Sequence, residues 1–461
     1  MGSRGAQIGS RFRGLVYSRE SSLTACAPHP TGKTRTEVRS AALRFFYGWL
    51  LVGVAWVLYG FGISPGYYSW GFFSSEIIDD LQLTRAQTGA VFGVFTFIFS
   101  GIGPVTGMAI SRWGARRVMV VGNLIAALGF WLVSTADTVW ECFVYYGVIG
   151  GIGIGLSTIL PCQTLATNWF TKYRARAVAT IFIAGGIVGR LVTRFDAVMV
   201  QEYSWRTGWL IISAVSLSLA FLAAVSVRNS PAEVGQHPDG IDPPTSHGPL
   251  PAESGETSAD AWTPGAAMRT PQFAVLCLAG VAFAVPWNVT VGHGRLHLED
   301  LGLSTDAAAA VLGTMILVSI AGRMTGALGD LLVPEKVLGY ALLIEAMGML
   351  GFLMATTARM AYASTILIAL GFGAAYISLT VVFAKFFGRV AFAQTTGARF
   401  LISGIFNSLS PAAAGWLFDT TGSYRIAFTV IVILTAGGGI FTLRLRAPRP
   451  PTGSGFDGTD G

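Results

Sequence analysis

The chain has 461 residues, of which 52% are hydrophobic and only 12% are charged, and its formal net charge is +7. Soluble globular proteins carry about 25% charged residues, so this composition excludes a set of ordinary soluble domains and places most of the chain in lipid. The excess of positive charge is concentrated in residues 1–44, which carry eight basic and two acidic side chains, so it does not indicate nucleic-acid binding.

Residues 1–44 contain no apolar core of the kind that a secretory signal requires. We interpret them as a disordered basic tail on the cytoplasmic side of a membrane. Their composition, rich in Arg and Ser and poor in acids, also fits an organelle transit peptide, and an over-extended gene model is a third interpretation.

Twelve apolar runs follow this tail, and most of them are joined by short loops. About 20 apolar residues are needed to cross a hydrocarbon core of roughly 30 Å, and lipid leaves backbone polar groups no partner outside a helix. We therefore predict an all-α integral membrane protein. The predicted spans are 46–70, 87–110, 118–136, 140–165, 177–200, 207–227, 272–294, 305–328, 337–357, 362–384, 392–416 and 426–443.

The loops between the spans differ strongly in basic residues. When the N-terminus is placed inside, most of the 31 Lys and Arg residues fall on the cytoplasmic side, as the positive-inside rule requires. We therefore predict cytoplasmic termini in a plasma membrane, or in the inner membrane of a bacterial cell. The outer side receives Arg85, Arg206, Arg295, Arg359 and Arg425. Four arginines fall inside spans, namely Arg190, Arg194, Arg323 and Arg399.

A polar stretch rich in Pro, Gly, Ser, Asp and Glu covers residues 229–269 and reads as a flexible cytoplasmic linker. It separates two predicted six-helix bundles, 45–228 and 270–446, and residues 447–461 are predicted to be a disordered tail.

The two bundles repeat one another. Gly107 and Gly326 close similar segments, GPVTG and GRMTG, and lie 219 residues apart; Arg206 and Arg425 repeat the same offset. An even number of spans per repeat predicts two parallel halves related by a pseudo-two-fold axis along the membrane normal, with a pathway between them. Rocking of the halves would expose this pathway to each side in turn.

The loop after the second span reads GMAISRWGARR and resembles the signature of the major facilitator superfamily. Its basic side chains are of the kind that binds carbonyl groups at helix ends or lipid phosphates, so the motif indicates a gate. We assign to this gating motif the residues Gly107, Ser111, Arg112, Gly114, Arg116, Arg117, Gly326 and Asp330, the last two from the second copy. The signature's acid is replaced by Ser111 in the first copy.

Four further segments resemble the monocarboxylate porter and oxalate/formate antiporter group of that superfamily. They are Tyr47-Gly48-Trp49, RNSPAEVGQHPDG after the sixth span, GRMTGALGD at the eighth, and AAAGWLFDTTGSYRIAF leading into the twelfth. The resemblance implies a secondary active transporter of a small organic anion, a mono- or dicarboxylate, that works by alternating access. It implies either proton symport or anion exchange.

Within this group an arginine placed as Arg323 binds the substrate carboxylate, and oxalate carriers add a cation on the eleventh helix, where Arg399 stands. A charge at membrane depth costs roughly 2.5–3.5 kcal/mol on insertion scales, so interior arginines normally meet an anion in a cavity. Arg190 and Arg194 lie one turn apart and repel unless an anion joins them. The alternative is that these arginines pair with Asp196 or Glu345, or extend to an interface.

Proton coupling is open because the porter group's acid, four residues before the arginine, is Ser319 here. His293 falls where these carriers often place a histidine, and it is our candidate for proton coupling; a simple polar residue at the outer mouth is the alternative. Tyr67 and Tyr68 are candidates for hydrogen bonds to the anion, although aromatic residues near helix ends are often interfacial anchors.

No catalytic residue, cofactor or metal is expected. Cys26, Cys142, Cys162 and Cys277 lack metal-ligand spacing, and the glycines of GGIGIGLS suit helix packing better than nucleotide binding. A drug or metabolite exporter of the same superfamily is the main alternative function. A membrane enzyme or receptor would require a nucleophile, an acid pair or a metal cluster, and the sequence shows none. We expect the chain to work as a monomer in the bilayer.

Overall fold

The computed structural model describes residues 46–241, 262–326 and 332–448. In these ranges the chain forms twelve long helices and no strand. The first six are α1 Tyr47–Leu81, α2 Arg85–Gly101, α3 Gly103–Val133, α4 Val139–Trp169, α5 Arg174–Glu202 and α6 Trp205–Ser226. The second six are α7 Pro271–Asp300, α8 Thr305–Gly326, α9 Pro334–Leu353, α10 Ala358–Gly388, α11 Gln394–Thr421 and α12 Arg425–Leu443. This confirms the predicted all-α membrane fold.

The helices run alternately in opposite directions and are joined by short turns. We call the end at which α1 begins and α12 ends the near end, and the opposite end the far end. Three turns at the far end finish on a threonine whose side chain accepts a hydrogen bond from the following helix: Thr84 before α2, Thr138 before α4 and Thr357 before α10. Such N-caps satisfy backbone donors that have no intrahelical partner.

Eleven of the helices are long and apolar enough to cross a membrane, whereas α2 as bounded has 17 residues. The second span nevertheless continues into α3, because Ile102 donates to Ile98 at 3.0 Å and Thr106 donates to Ile102 at 2.9 Å. The chain reverses at Gly114, whose φ of 80° is in the left-handed region that favours glycine. A Cβ at Gly114 would lie 2.9 Å from Oδ1 of Asn229, so the loop of the gating motif requires a glycine there.

Helices α1 and α7 are longer at the far end than the apolar runs predicted. Placing Arg295 in an outer loop was therefore wrong: it lies inside α7, and its side chain is 2% exposed. The hydropathy falls where charged residues begin, but α1 and α7 continue because Arg295 pairs with Glu76 across the bundle at 2.6 Å. These two residues are 219 positions apart, which is the offset of the internal repeat.

Aromatic side chains fill the core of the first six helices. Trp70 stacks on Tyr146 with 4.5 Å between ring centroids, and Trp209 stacks on Phe130 at 5.2 Å. In the second six helices, Trp287 of α7 stacks on Phe372 of α10 at 4.0 Å. Each half thus has its own packed core, and the face between the halves is left to hold polar groups.

Candidate functional site

Arg323 lies on α8, in the half of the membrane that belongs to the near end. Its Nε is buried without a hydrogen-bond partner, and its guanidinium lies 5.7 Å from the ring centroid of Tyr376 on α10. No acidic side chain of the described residues pairs with it. Two tyrosines of α1 in the other half, Tyr59 and Tyr68, are close enough to interact with its charge. The guanidinium therefore faces the space between the halves.

The backbone of α8 is held against α10 at this point. A Cβ at Gly373 of α10 would come within 2.4 Å of the Ser319 carbonyl oxygen and 2.6 Å of the Arg323 nitrogen. Only glycine permits this approach. It fixes where the Arg323 side chain leaves the helix.

Arg399 lies on α11 and is 4% exposed. Its guanidinium lies 4.0 Å from the ring centroid of Phe400 and 5.6 Å from that of Phe383, and its Nε has no hydrogen-bond partner. Gly280 of α7 leaves room for it, since a Cβ there would lie 3.2 Å from Nη1 of Arg399. Arg399 is thus a second buried cation that no acid of the described residues neutralises.

Tyr376 of α10 links the two arginines. It lies beside Arg323 and also interacts electrostatically with Arg399, and 41% of the tyrosine is exposed. Sequence analysis missed this residue because one tyrosine in an apolar span carries no signal of its own. The internal repeat holds a signal that could have found it: at the 217-residue offset that relates the ends of α4 and α10, its counterpart is Ile159.

The two arginines of α5 do not act as a pair. Arg194 forms an ion pair with Asp306 of α8, and its side chain is 60% exposed. Arg190 packs against Gly313 of α8, where a Cβ would lie 2.9 Å from Nη1, and the described residues offer it no ion pair. Arg190 alone therefore remains a candidate for binding an anion.

The buried acids do not neutralise the interior arginines. Asp196 accepts a hydrogen bond from Ser69 at 2.9 Å, and both carboxylate oxygens of Glu345 are buried without a partner. In the described part of the chain, neither acid forms an ion pair. The alternative in which these acids neutralise Arg323 or Arg399 is not what the structure shows.

The three remaining candidates lie nearer the far end. The Tyr67 hydroxyl donates to Oδ1 of Asn288 on α7, so it joins the halves. Tyr68 packs on Gly189 of α5 and is near Arg323.

His293 is fully buried, and both of its ring nitrogens have partners. Its Nε2 donates to the Pro411 carbonyl at 2.8 Å, and its Nδ1 accepts from the Tyr424 hydroxyl at 3.1 Å. Tyr424 lies in the turn before α12, and burial raises the pKa of its hydroxyl, which keeps it a donor. The geometry accounts for a neutral imidazole that joins α7, α11 and α12.

The gating motif makes its described contacts within the first half. Arg116 donates to the Ala224 carbonyl at the end of α6, and Ser111 donates to Gly107 at 3.0 Å within the helix. Arg112 and Arg117 are exposed. Gly326 ends α8, and Asp330 lies outside the described residues.

Residues 228–241, the first part of the predicted linker, are packed against this motif. Asn229 accepts from the Arg116 backbone at 2.9 Å, and the Asp239 carboxylate accepts from the backbone of Thr171 and Lys172 at 3.0 and 2.8 Å. The Tyr47 hydroxyl donates to Ser226 at 2.6 Å. This segment ties together the near ends of α1, α3, α4 and α6, a role that its polar composition did not reveal.

The described hydrogen bonds and ion pairs between helices of the two halves lie at the far end or near the middle of the bundle. Arg295 bonds to Glu76 through both terminal nitrogens at 2.6 Å, and Arg85 pairs with Asp300 at 2.5 Å. The Asp419 carboxylate of α11 accepts from the backbone of Arg85 and Ala86 at the start of α2. The far end is therefore closed.

The near halves of the same helices are more accessible. Tyr376 is 41% exposed and Met324 is 66% exposed, although both lie on helices that face the other half at their far ends. A bundle that is sealed at one end and accessible at the other has a cavity that leads from the arginine cluster to one side of the membrane.

A family model described as Major Facilitator Superfamily matches residues 50–332, which is more than half of the chain. The chain belongs to this superfamily. Its curated relatives are transporters. Monocarboxylate transporter 4 of Rattus norvegicus is 23% identical over 391 residues, which cover 83% of this chain and 79% of the relative. Monocarboxylate transporter 13 of Rattus norvegicus is 24% identical over 406 residues, covering 86% and 88%.

Solved structures of other Major Facilitator Superfamily transporters share the fold. The nucleoside transporter NupG gives a TM-score of 0.67 at 13% identity and covers 86% of this chain and 99% of its own. A bacterial homologue of the human lysosomal transporter Spinster gives a TM-score of 0.65 at 15% identity, covering 86% and 93%. The superfamily and the resemblance to monocarboxylate transporters that the sequence motifs predicted are thus confirmed.

Proposed function

We propose that this Major Facilitator Superfamily protein transports a small organic anion, a mono- or dicarboxylate, by secondary active transport with alternating access. One observation carries the proposal: Arg323 and Arg399 are two interior arginines, on either side of Tyr376, with buried Nε atoms that no acid of the described residues satisfies. A buried cation without a partner is costly, and a carboxylate ligand would remove that cost.

The roles of the side chains follow from their chemistry. Arg323 presents a planar guanidinium that suits bidentate binding of a carboxylate, so it is the primary anchor. Arg399 provides the second cation, which suits a second carboxylate or a neighbouring oxygen. Tyr376 lies between them, and Tyr68 closes the site from the opposite half. Arg190 lies farther toward the middle of the membrane, and Tyr67 joins the halves behind the site.

The transport cycle is proposed as a rocking of two six-helix bundles, residues 45–228 and 270–446, joined by the linker 229–269. The described state is closed at the far end and open at the near end. With the near end in the cytoplasm of a plasma membrane, this state releases the anion inward. The anion moves with a proton or in exchange for a second anion, and one chain contains both halves, so a monomer suffices.

The gating motif is proposed to act in the opposite state. Arg112 and Arg117 are exposed at the near end, where they can bind carbonyl groups or acids of the other half once the near ends approach one another. Asp330 of the second copy is the matching acid. In the described state the near end is open, and these contacts are not required.

Uptake into liposomes tests the anchor. Purified protein is reconstituted, and uptake of labelled lactate, pyruvate, formate and oxalate is measured with and without a pH gradient. Removing hydrogen bonds to an ionised carboxylate costs about 1.5–3 kcal/mol, so Arg323→Ala is expected to reduce apparent affinity about tenfold or more. Arg399→Ala is expected to affect oxalate more than formate.

The matched control is Arg359→Ala, which removes an exposed arginine at the far end of α10. It is expected to leave uptake unchanged. Undiminished uptake by Arg323→Ala would contradict the anchor and favour an exporter of other metabolites or drugs, which does not require an anion site. Arg323→Lys separates charge from geometry, because a lysine keeps the charge and loses the planar fork.

A further inference from the structure

A buried carboxyl group on α5 has no role in the proposed site. Asp196 is fully buried, its Oδ1 accepts a hydrogen bond from Ser69 at 2.9 Å, and its Oδ2 is buried without a partner. A carboxylate in such a place is unfavourable unless it is paired, whereas a protonated carboxyl group is neutral. Interior acids of membrane proteins are commonly functional for this reason.

The charged groups around Asp196 are already paired with one another. On α7, Arg295 is close enough to interact with Asp196, but its guanidinium is bound by Glu76 and Glu299. On its own helix, Arg194 is paired with Asp306 of α8 at an exposed position.

On α1, Tyr68 and Ser69 are its nearest polar neighbours in sequence, and both side chains are neutral. Arg190 lies almost two turns toward the near end and packs on Gly313. Within the described residues, therefore, no cation is available to neutralise an ionised Asp196. A proton is the ligand that this carboxyl group lacks.

The surroundings of Asp196 come from both halves. The adjacent Ala197 packs in a buried cluster with Phe72 of α1 and Ala309 of α8, and Phe72 lies under the guanidinium of Arg295. Helices α7 and α8 belong to the second half, so opening of the far end would carry them away from α1 and α5. Asp196 would then pass from a sealed site to one that water reaches.

A second buried acid provides a comparison. Glu345 of α9 is also fully buried and has no partner for either oxygen, but it lies against Gly371 of α10, within the same half. Rocking of the halves as rigid bodies leaves these neighbours in place. Burial alone is therefore shared by the two acids, and only Asp196 lies where the conformational change alters its environment.

We propose that Asp196 is a proton-binding site whose protonation closes the far end of the transporter. A proton taken from water on the far side converts the carboxylate to a neutral carboxyl group, and no other bond forms or breaks. Because sealing a neutral group costs less than sealing a charge, the closed state binds the proton more tightly, and by linkage the proton favours the closed state. The inference rests on the alternating access of the proposed function.

The test measures the far end directly. Thr135→Cys and Thr356→Cys place spin labels on exposed far-end turns of the two halves, and the distance between the labels is measured in liposomes from pH 5.5 to pH 8.5. The long-distance population is expected to grow as pH rises. Asp196→Asn, which mimics the protonated group, is expected to remain at the short distance throughout, and Glu345→Gln is expected to follow the unaltered chain.

A second variant keeps the carboxyl group and changes its proton affinity. Ser69→Ala removes the one hydrogen bond that stabilises the carboxylate, so the midpoint of the distance change is expected to rise by about one pH unit, a tenfold change in proton affinity. An unchanged midpoint in Ser69→Ala, or an unaltered pH response in Asp196→Asn, would overturn the proposal.

Anion exchange is measured on the same liposomes. If the unaltered chain exchanges none of the four labelled anions, the proposed function fails, while the distance measurement still decides the role of Asp196. If exchange occurs and the distances do not respond to pH, the inference about Asp196 fails and the proposed function stands.

Discussion

Breaking the pair between Glu76 and Arg295 should open the far end. Arg295 is 2% exposed and donates two hydrogen bonds of 2.6 Å to Glu76, so Glu76→Gln leaves the guanidinium with Glu299 and the Phe72 carbonyl. Hydrogen bonds to charged groups contribute about 1.5–3 kcal/mol each to stability. Because the introduced glutamine retains one acceptor oxygen, we assign a loss of about 2–3 kcal/mol to the closed state.

This loss corresponds to a roughly 30- to 150-fold shift toward the open far end, since 1.4 kcal/mol is a factor of ten. The assay is the distance between spin labels at Thr135→Cys and Thr356→Cys at neutral pH. The expected result is a new long-distance population in Glu76→Gln that becomes the major one if the unaltered chain populates the open state by a few per cent.

The matched control is Asp137→Asn. Asp137 pairs with Arg206 at 3.2 Å at the same end of the bundle, but both residues belong to the first half. Its loss is expected to leave the distance distribution unchanged. The reasoning fails if Glu76→Gln and Asp137→Asn give the same distribution, because the pair between the halves would then not hold the far end closed.

Three further predictions concern the site, the loop of the gating motif and the exposed pair. Tyr376→Ala removes a cation–π partner that contributes about 0.5–2 kcal/mol, so the apparent affinity for the anion should fall roughly 2- to 30-fold in liposome uptake; an unchanged affinity would remove Tyr376 from the site. Gly114→Ala forces a side chain into φ of 80° and toward Asn229, so the melting temperature in detergent should fall by about 3 °C or more, whereas Gly53→Ala, which meets nothing within 4 Å, should not lower it. Arg194→Ala breaks an exposed pair that contributes about 0–1 kcal/mol, so uptake should change less than fivefold, and a larger loss would show that Arg194 binds the anion.

The fold could be predicted because the membrane restricts the solutions so strongly. Twenty apolar residues in lipid must form a helix, and a 219-residue repeat of landmarks fixes two halves of six. Depth could be predicted too: Arg323 and Arg399 were placed at a similar level by counting residues from the loops, and the structure brings both beside Tyr376.

What escaped prediction depends on contacts between distant parts of the chain. Hydropathy ended α1 and α7 too early because charged residues look like loops, whereas Arg295 and Glu76 neutralise one another only once the halves meet. Tyr376 could not be singled out without knowing which face of α10 points to the arginines. The packing of Asp239 on the start of α5 was equally invisible, since it depends on three backbone amides and not on composition.

The pair of Glu76 and Arg295 also bears on how two similar halves came to form one molecule. Residues that occupy equivalent positions in a two-fold arrangement and touch one another must lie on the axis itself. An exact duplicate would bring two glutamates or two arginines face to face there, and like charges at that distance would force the far end apart. The closed state therefore requires that the halves differ at this position, so the attraction that seals the transporter exists only because its internal symmetry is broken on the axis.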